Sequence, residues 1–172
     1  MKWFCTFILV FYLSLHASAQ KYHYRGIENF PVDSVSGKIT YAAVVEVPGA
    51  TQAELYRRAK EWLITNKRQL AKIELAETPY AGRIKGRVTL AKDGTPSSCT
   101  VTIETKEGRA RYELTDFTTP RSKLEEPLES YIPATAGLNA KAFDMTFLDD
   151  HSYFADVAAN LDTALRTAPR RW

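Results

Sequence analysis

The sequence predicts an α+β fold: a mostly antiparallel sheet of about five strands, covered on one face by two helices, in the order β-α-β-β-β-β-α. Three observations carry this prediction. Residues 51–66, TQAELYRRAKEWLITN, repeat apolar side chains at the spacing of a helix. Five other segments alternate apolar and polar residues with the period of two that marks a half-buried strand. A second helical repeat closes the chain after residue 152. Strands that follow one another through short turns pair antiparallel, and amphipathic helices bury their stripes on such a sheet. Its other face is left to water.

In chain order, residues 20–36 form an arm with Tyr22, His23, Tyr24, Phe30 and Pro31, ending in the turn-like Asp33-Ser34-Val35-Ser36-Gly37. The first strand spans residues 39–47, with Ile39, Tyr41, Ala43, Val45 and Val47 on one face. Pro48 and Gly49 break it. Thr51 and Glu54 then have the spacing of a capping box, in which each side chain satisfies a free backbone N–H at the helix start. Leu55, Ala59, Trp62 and Leu63 form the apolar stripe of this first helix. Glu54–Arg58 and Arg57–Glu61 are i,i+4 pairs, each contributing about 0.2–0.5 kcal/mol.

The second strand, residues 72–78, shows Ile73 and Leu75 on one face, and Pro79 to Gly82 turns the chain. In the third, residues 83–90, Ile84, Val88 and Leu90 point inward while Arg83, Lys85, Arg87 and Thr89 point outward. After the turn Asp93-Gly94-Thr95-Pro96, residues 98–105 place Cys99, Val101 and Ile103 inward. A short hairpin loop, Lys106-Glu107-Gly108, leads into residues 109–117, with Ala110, Tyr112 and Leu114 inward. Cys99 thus shares the core face, where a thiol behaves as a small hydrophobe.

Residues 118–150, interrupted by Pro120, Pro127 and Pro133, read as an irregular segment, with at most a turn or two of helix capped by Ser122 and Glu125. The second helix is expected over residues 152–167, on the repeat Phe154, Val157, Ala158, Leu161 and Leu165, followed by a basic tail from Ala168 to Trp172. One domain, residues 37–172, is expected behind the arm.

The first nineteen residues, MKWFCTFILVFYLSLHASA, have a secretory leader's design: a positive Lys2, an apolar run and Ala17-Ser18-Ala19 as a small-residue cleavage pattern. The run is shorter than the roughly 20 residues a spanning helix needs. The expectation is therefore a signal peptide over residues 1–19 and an exported product starting at Gln20. It would be periplasmic or extracellular, with no stable membrane insertion after cleavage. Losing Lys2 from 23 basic residues leaves 22 against 20 acidic ones. That near balance argues against a nucleic-acid partner. Of two cysteines only Cys99 follows the leader, so no internal disulfide is available to the product.

The run FPVDSVSGKITYAAVVEVPGATQAELYRRAKEWL, residues 30–63, resembles the start of a secreted bacterial family, the domain of unknown function DUF4468 with a TBP-like fold. The resemblance rests on Pro31-Val32-Asp33, Ser36-Gly37-Lys38-Ile39 with Tyr41, Val45-Glu46-Val47-Pro48-Gly49, and Leu55-Tyr56-Arg58-Ala59-Glu61-Trp62. Gly82-Arg83-Ile84-Lys85-Gly86 and the hairpin ending Arg111-Tyr112-Glu113-Leu114-Thr115-Asp116-Phe117 are similar to the family's second half. The resemblance implies a TBP-like fold and an envelope location. It implies no catalytic residues.

Two groups of residues are candidates for function. Lys85, Arg87, Arg109 and Arg111 project together from the open sheet face, either as an ordinary solvated surface or as a docking site for an envelope protein, peptide or glycan. Asp144, Asp149, Asp150 and His151 are the residues with metal or acid–base potential. Yet Asp149, Asp150 and Ser152 are also what a helix N-terminus asks for, and that simpler reading is preferred. The chain has no G-x-S-x-G, P-loop or H-E-x-x-H motif. The expectation is a non-catalytic binding module with no cofactor. The alternative is a hydrolase with its site near Asp149, Asp150 and His151.

Overall fold

A computed structural model of the chain describes residues 25–66, 68–78, 81–92, 97–121, 124–130 and 136–167. The leader, Tyr22-His23-Tyr24, the turn at Asp93 to Pro96, Ser122 and the basic tail lie outside the described residues. The strands are β1 (Tyr41–Glu46), β2 (Leu70–Thr78), β3 (Arg83–Leu90), β4 (Ser97–Lys106), β5 (Arg109–Arg121) and β6 (Leu124–Pro127). The α-helices are α1 (Gln52–Thr65) and α2 (Ala136–Arg166). All pairings are antiparallel, in the order β1-β5-β4-β3-β2, and β6 pairs with the far end of β5. The α+β architecture follows the sequence's alternation, with six strands in place of about five.

The alternation works because successive side chains on a strand point to opposite faces. Ile84, Val88, Leu90, Cys99, Val101, Ile103 and Leu114 all lie on the helix side at zero exposure. Helix α1 begins as its sequence asks: Thr51 Oγ1 accepts from the Glu54 N–H at 3.2 Å. The Glu54 carboxylate pairs with Arg58 at 2.5 Å. Glu107, from the β4–β5 hairpin, accepts the Gln52 N–H at 3.0 Å. Leu55, Ala59, Trp62 and Leu63 are buried. So is Arg58, whose Nη1 donates to the Leu165 carbonyl at 2.8 Å and the Arg166 carbonyl at 3.3 Å. A cation on the last carbonyls of α2 satisfies free acceptors at the negative end of that helix. The two helices are thereby tied together as well as packed.

Two expectations are corrected. Residues 118–150 are not an irregular segment: they hold the end of β5, the strand β6, a 3-10 turn at Leu128–Ser130 and the first half of α2. Helix α2 is 31 residues long and starts at Ala136, so Asp149, Asp150 and Ser152 lie in mid-helix and cap nothing. The physical reason is that its first half packs on the N-terminal arm as well as the sheet. Phe30 meets Phe147 and Phe154, with ring centroids 5.7 Å and 6.2 Å away. Asp144, 1 % exposed, turns inward. Its carboxylate accepts the N–H groups of Arg25 at 3.0 Å and Gly26 at 2.9 Å, and Asn29 Nδ2 at 3.3 Å. Arg25 is right-handed and Gly26 left-handed, at φ 55°, so consecutive N–H groups converge into an anion-binding nest.

A bulge resets β5. The β4–β5 register shifts between Ser98 and Thr100, and Asp116 on the bulged strand has φ 54°. The extra residue returns Phe117 to the core, where its ring stacks on Phe154 at 4.5 Å. Asp116 is left on the open side.

Candidate functional site

The open face is built from the outward residues of β1, β5, β4 and β3 in register. Val44, Arg111, Glu104 and Arg83 form one row across these four strands, and Ala42, Glu113, Thr102 and Lys85 form the next. Thr115, Thr100 and Arg87 follow, with Thr40 Oγ1 3.4 Å from Thr115 Oγ1. The charges alternate within and between these rows. Arg83 meets Glu104 at 3.5 Å and Arg111 meets Glu113 at 3.5 Å. Lys38 reaches in to Asp116 at 2.5 Å. The Lys38 hydrogen bond and charge hold the Asp116 carboxyl below the usual carboxylate range, against a smaller opposing effect of burial.

The four basic residues read from the sequence share this face, but not one role. Arg87 is committed internally: Nη1 donates to the Asp116 carbonyl at 2.9 Å and Nη2 to Thr118 Oγ1, which clamps the bulge. Arg111 is half paired through Glu113. Lys85 and Arg109 are exposed, and neither has an ion-pair partner among the described residues. Glu46 stands opposite Arg109 in register.

Two shallow depressions lie between these side chains. One of about 310 Å³ runs among Arg83, Lys85, Thr100, Thr102, Glu113 and Thr115. The other, of about 190 Å³, is rimmed by Lys106, Arg109 and Arg111 around Val44, which is 55 % exposed. Glu104 and Arg111 border both, so the two lie side by side along one trough-like stretch of the face. Lys106 and Val44 escaped the sequence reading. Their outward positions on the strands were the available signal.

The second candidate group is dispersed into structural roles. Asp144 latches the arm. Lys92 Nζ pairs with Asp149 at 3.0 Å and also with Asp150, stapling the end of β3 to α2. Burial pushes the Asp150 carboxyl above the usual carboxylate range, although the Lys92 hydrogen bond and charge oppose it. His151 Nδ1 lies 2.7 Å from the Tyr41 hydroxyl, and its ring stacks on Tyr41 with centroids 5.9 Å apart. Burial, then the charge of Asp150, raises the Tyr41 hydroxyl pKa. Among the described residues no group of three His, Cys, Asp or Glu side chains is placed to hold a metal ion. Burial pushes the Cys99 thiol up to about 12, which suits the inert core residue its position predicts.

Comparison with known proteins agrees with this geometry. Residues 41–119 match the model of a domain of unknown function, DUF4468, with TBP-like fold. A DUF4468 family protein from Bacteroides ovatus superposes with a TM-score of 0.60 at 15 % identity, covering 81 % of this chain and 94 % of its own. A TBP-like protein from Parabacteroides distasonis superposes with a TM-score of 0.55 at 20 % identity, covering 81 % and 99 %. At these identities the likeness is one of fold. No curated protein matches the chain.

Proposed function

We propose, from the match of residues 41–119 to the DUF4468 domain with TBP-like fold, that the chain is an exported, non-catalytic binding module of the bacterial envelope that docks its partner on the open sheet face. The observation that carries this reading is the contrast between Lys85 and Arg109, exposed without ion-pair partners among the described residues, and the committed polar groups around Asp144, Asp150 and His151. A fold does not bring a function with it. Sheet-mediated DNA binding does not suit this face, whose bases are interleaved with Glu104, Glu113 and Asp116 and which carries no aromatic wedge. Export rests on the leader-like residues 1–19. Among the described residues no helix is long and apolar enough to cross a membrane.

The test is a capture experiment on envelope extract with the exported product, run beside a variant carrying Ser at positions 85, 109 and 111. The expected result is one partner captured by the wild type and lost by the variant, the loss shrinking at high salt as screening removes the wild-type advantage. Equal capture by both overturns the open-face reading. N-terminal analysis of the exported product is expected to begin at Gln20; retention of Met1 overturns the export reading.

A further inference from the structure

The trough on the open face has a chemistry narrower than "basic", because the cations without ion-pair partners among the described residues stand at its two ends, Lys85 at one and Arg109 beside Lys106 at the other. Lys85 and Arg109 stand two strands apart and four residues apart along the sheet, a span of roughly 17 Å at about 3.4 Å per residue and 4.8 Å per strand. Between them lie the Arg111–Glu113 and Arg83–Glu104 pairs and the hydroxyl of Thr102, with Thr100 one row beyond Lys85. To one side sits Val44, an apolar side chain with a rim of Lys106, Arg109 and Arg111.

This pattern excludes three kinds of ligand in turn. A uniform polyanion, such as a sulfated glycan or a nucleic acid, would set negative charge against Glu104, Glu113 and Asp116 as well as against the bases. An anionic membrane surface meets the same interleaved acids and finds only one apolar residue to insert. A neutral sugar is usually held by an aromatic ring, and the one aromatic residue in the lining, Tyr112, is 6 % exposed and turned to the core. What fits is a ligand with separately placed carboxylates, groups that bond to threonine hydroxyls, and an apolar branch. An extended polypeptide has all three, and about five residues of it cover 17 Å.

Building on the docking role given to this face, we propose that the trough takes an extended acidic polypeptide segment, with carboxylates on Lys85 and Arg109 and one apolar side chain on Val44. Its main chain meets the Thr102 hydroxyl between the two cations, while its acids also draw Arg111 away from its 3.5 Å pair with Glu113. The internal commitment of Arg87 makes it a support of the trough floor and not a contact.

The proposal is tested by titrating isotopically labelled protein with a capped peptide of about seven residues, with two glutamates about five residues apart, a valine beside one of them and serines elsewhere, and following the amide resonances. The expected result is saturable shifts centred on Val44, Lys85, Arg109 and Arg111. Lys85→Glu and Arg109→Glu each weaken binding about tenfold or more, as misplaced like charge does at an interface. Val44→Ser weakens it about threefold, and the peptide with glutamine for glutamate is weaker than the acidic one by about tenfold or more. Thermal melts of each variant confirm that it folds. A sulfated oligosaccharide or phosphatidylglycerol vesicle that shifts the same resonances more tightly than the peptide overturns the peptide assignment while leaving the open-face reading standing. If no probe moves the open face, and capture from envelope extract is unchanged by Ser at positions 85, 109 and 111, both readings fall.

Discussion

The row Ala43, Tyr112, Ile103 and Ile84 crosses the sheet one residue away from the row Ala42, Glu113, Thr102 and Lys85. The first faces the helices and the second faces water. Ile84 and Ile103 have no exposure at all, and farther along the same face Phe117 stacks on Phe154 of α2. On the second row the polar groups are half-exposed or exposed, and the nearby ion pairs are 3.5 Å long. The same strands thus carry one surface fixed by close packing and one that folding leaves almost unconstrained.

The largest expected effect tests the packed side. Phe154→Ala removes a ring that touches Phe30, Tyr41 and Phe117. It is expected to cost about 3–5 kcal/mol in a denaturant series, the range for a buried aromatic truncation. A loss below about 1 kcal/mol would erase the contrast between the faces.

Next comes Asp144, the polar exception within the helix layer. Asp144→Ala leaves the amides of Arg25 and Gly26 without their acceptor, at an expected cost of about 2–3 kcal/mol. Asp144→Asn, which keeps one acceptor oxygen, is expected to cost about 1 kcal/mol less. Hydrogen exchange at Gly26 separates this local release from global unfolding, because the arm's amides lose protection first in the Ala variant.

A smaller effect distinguishes a pair on the open side from the packing beneath it. Asp116 has its pKa lowered chiefly by the hydrogen bond from Lys38. A carboxyl depressed in the folded state adds stability above its unfolded pKa and loses it as pH falls through the folded value. The stability difference between wild type and Asp116→Asn is therefore expected to be below about 1 kcal/mol near neutrality. It should vanish in acid, well below about pH 3.9, as the carboxyl becomes protonated in both states. Chemical denaturation at several pH values checks both parts.

The smallest effects belong to Lys85, Arg109 and Arg111, where single Ser replacements should each stay within about 0.5 kcal/mol. A larger loss would mean the open face contributes to folding.

The legible parts of the fold are those where one local rule governs. Helix α1 shows its cap and stripe in the sequence, and β3, β4 and the first half of β5 show strict alternation, which also assigns Lys85, Arg109 and Arg111 to one face. The first half of α2 was hidden because it breaks the apolar stripe in both directions. Asp144 is buried, while Met145 and Leu148 are 59 % and 46 % exposed. Its true partner is the arm, more than a hundred residues earlier, and no local pattern records that. The commitment of Arg87 was hidden for a related reason. It depends on the bulge at Asp116, a residue that tolerates positive φ without announcing it as glycine would.

The latch on Asp144 also decides how the molecule would carry a mechanical load. Arg25 is bound to Asp144 on α2, and Thr167 lies just past the end of the same helix. Asp144 and Thr167 are roughly 35 Å apart at about 1.5 Å per residue. A pull between Arg25 and Thr167 runs first through the latch and along α2, bypassing the hairpins of the sheet. When the latch yields, load passes to Phe30 among Phe147 and Phe154 and to the Val32–Ile39 bridge, and once these also give, the arm between Arg25 and Ile39 pays out by roughly 50 Å at full extension before tension reaches β1. The arm then acts as a fuse: it gives length under strain while the sheet, and the trough on its far side, stay whole.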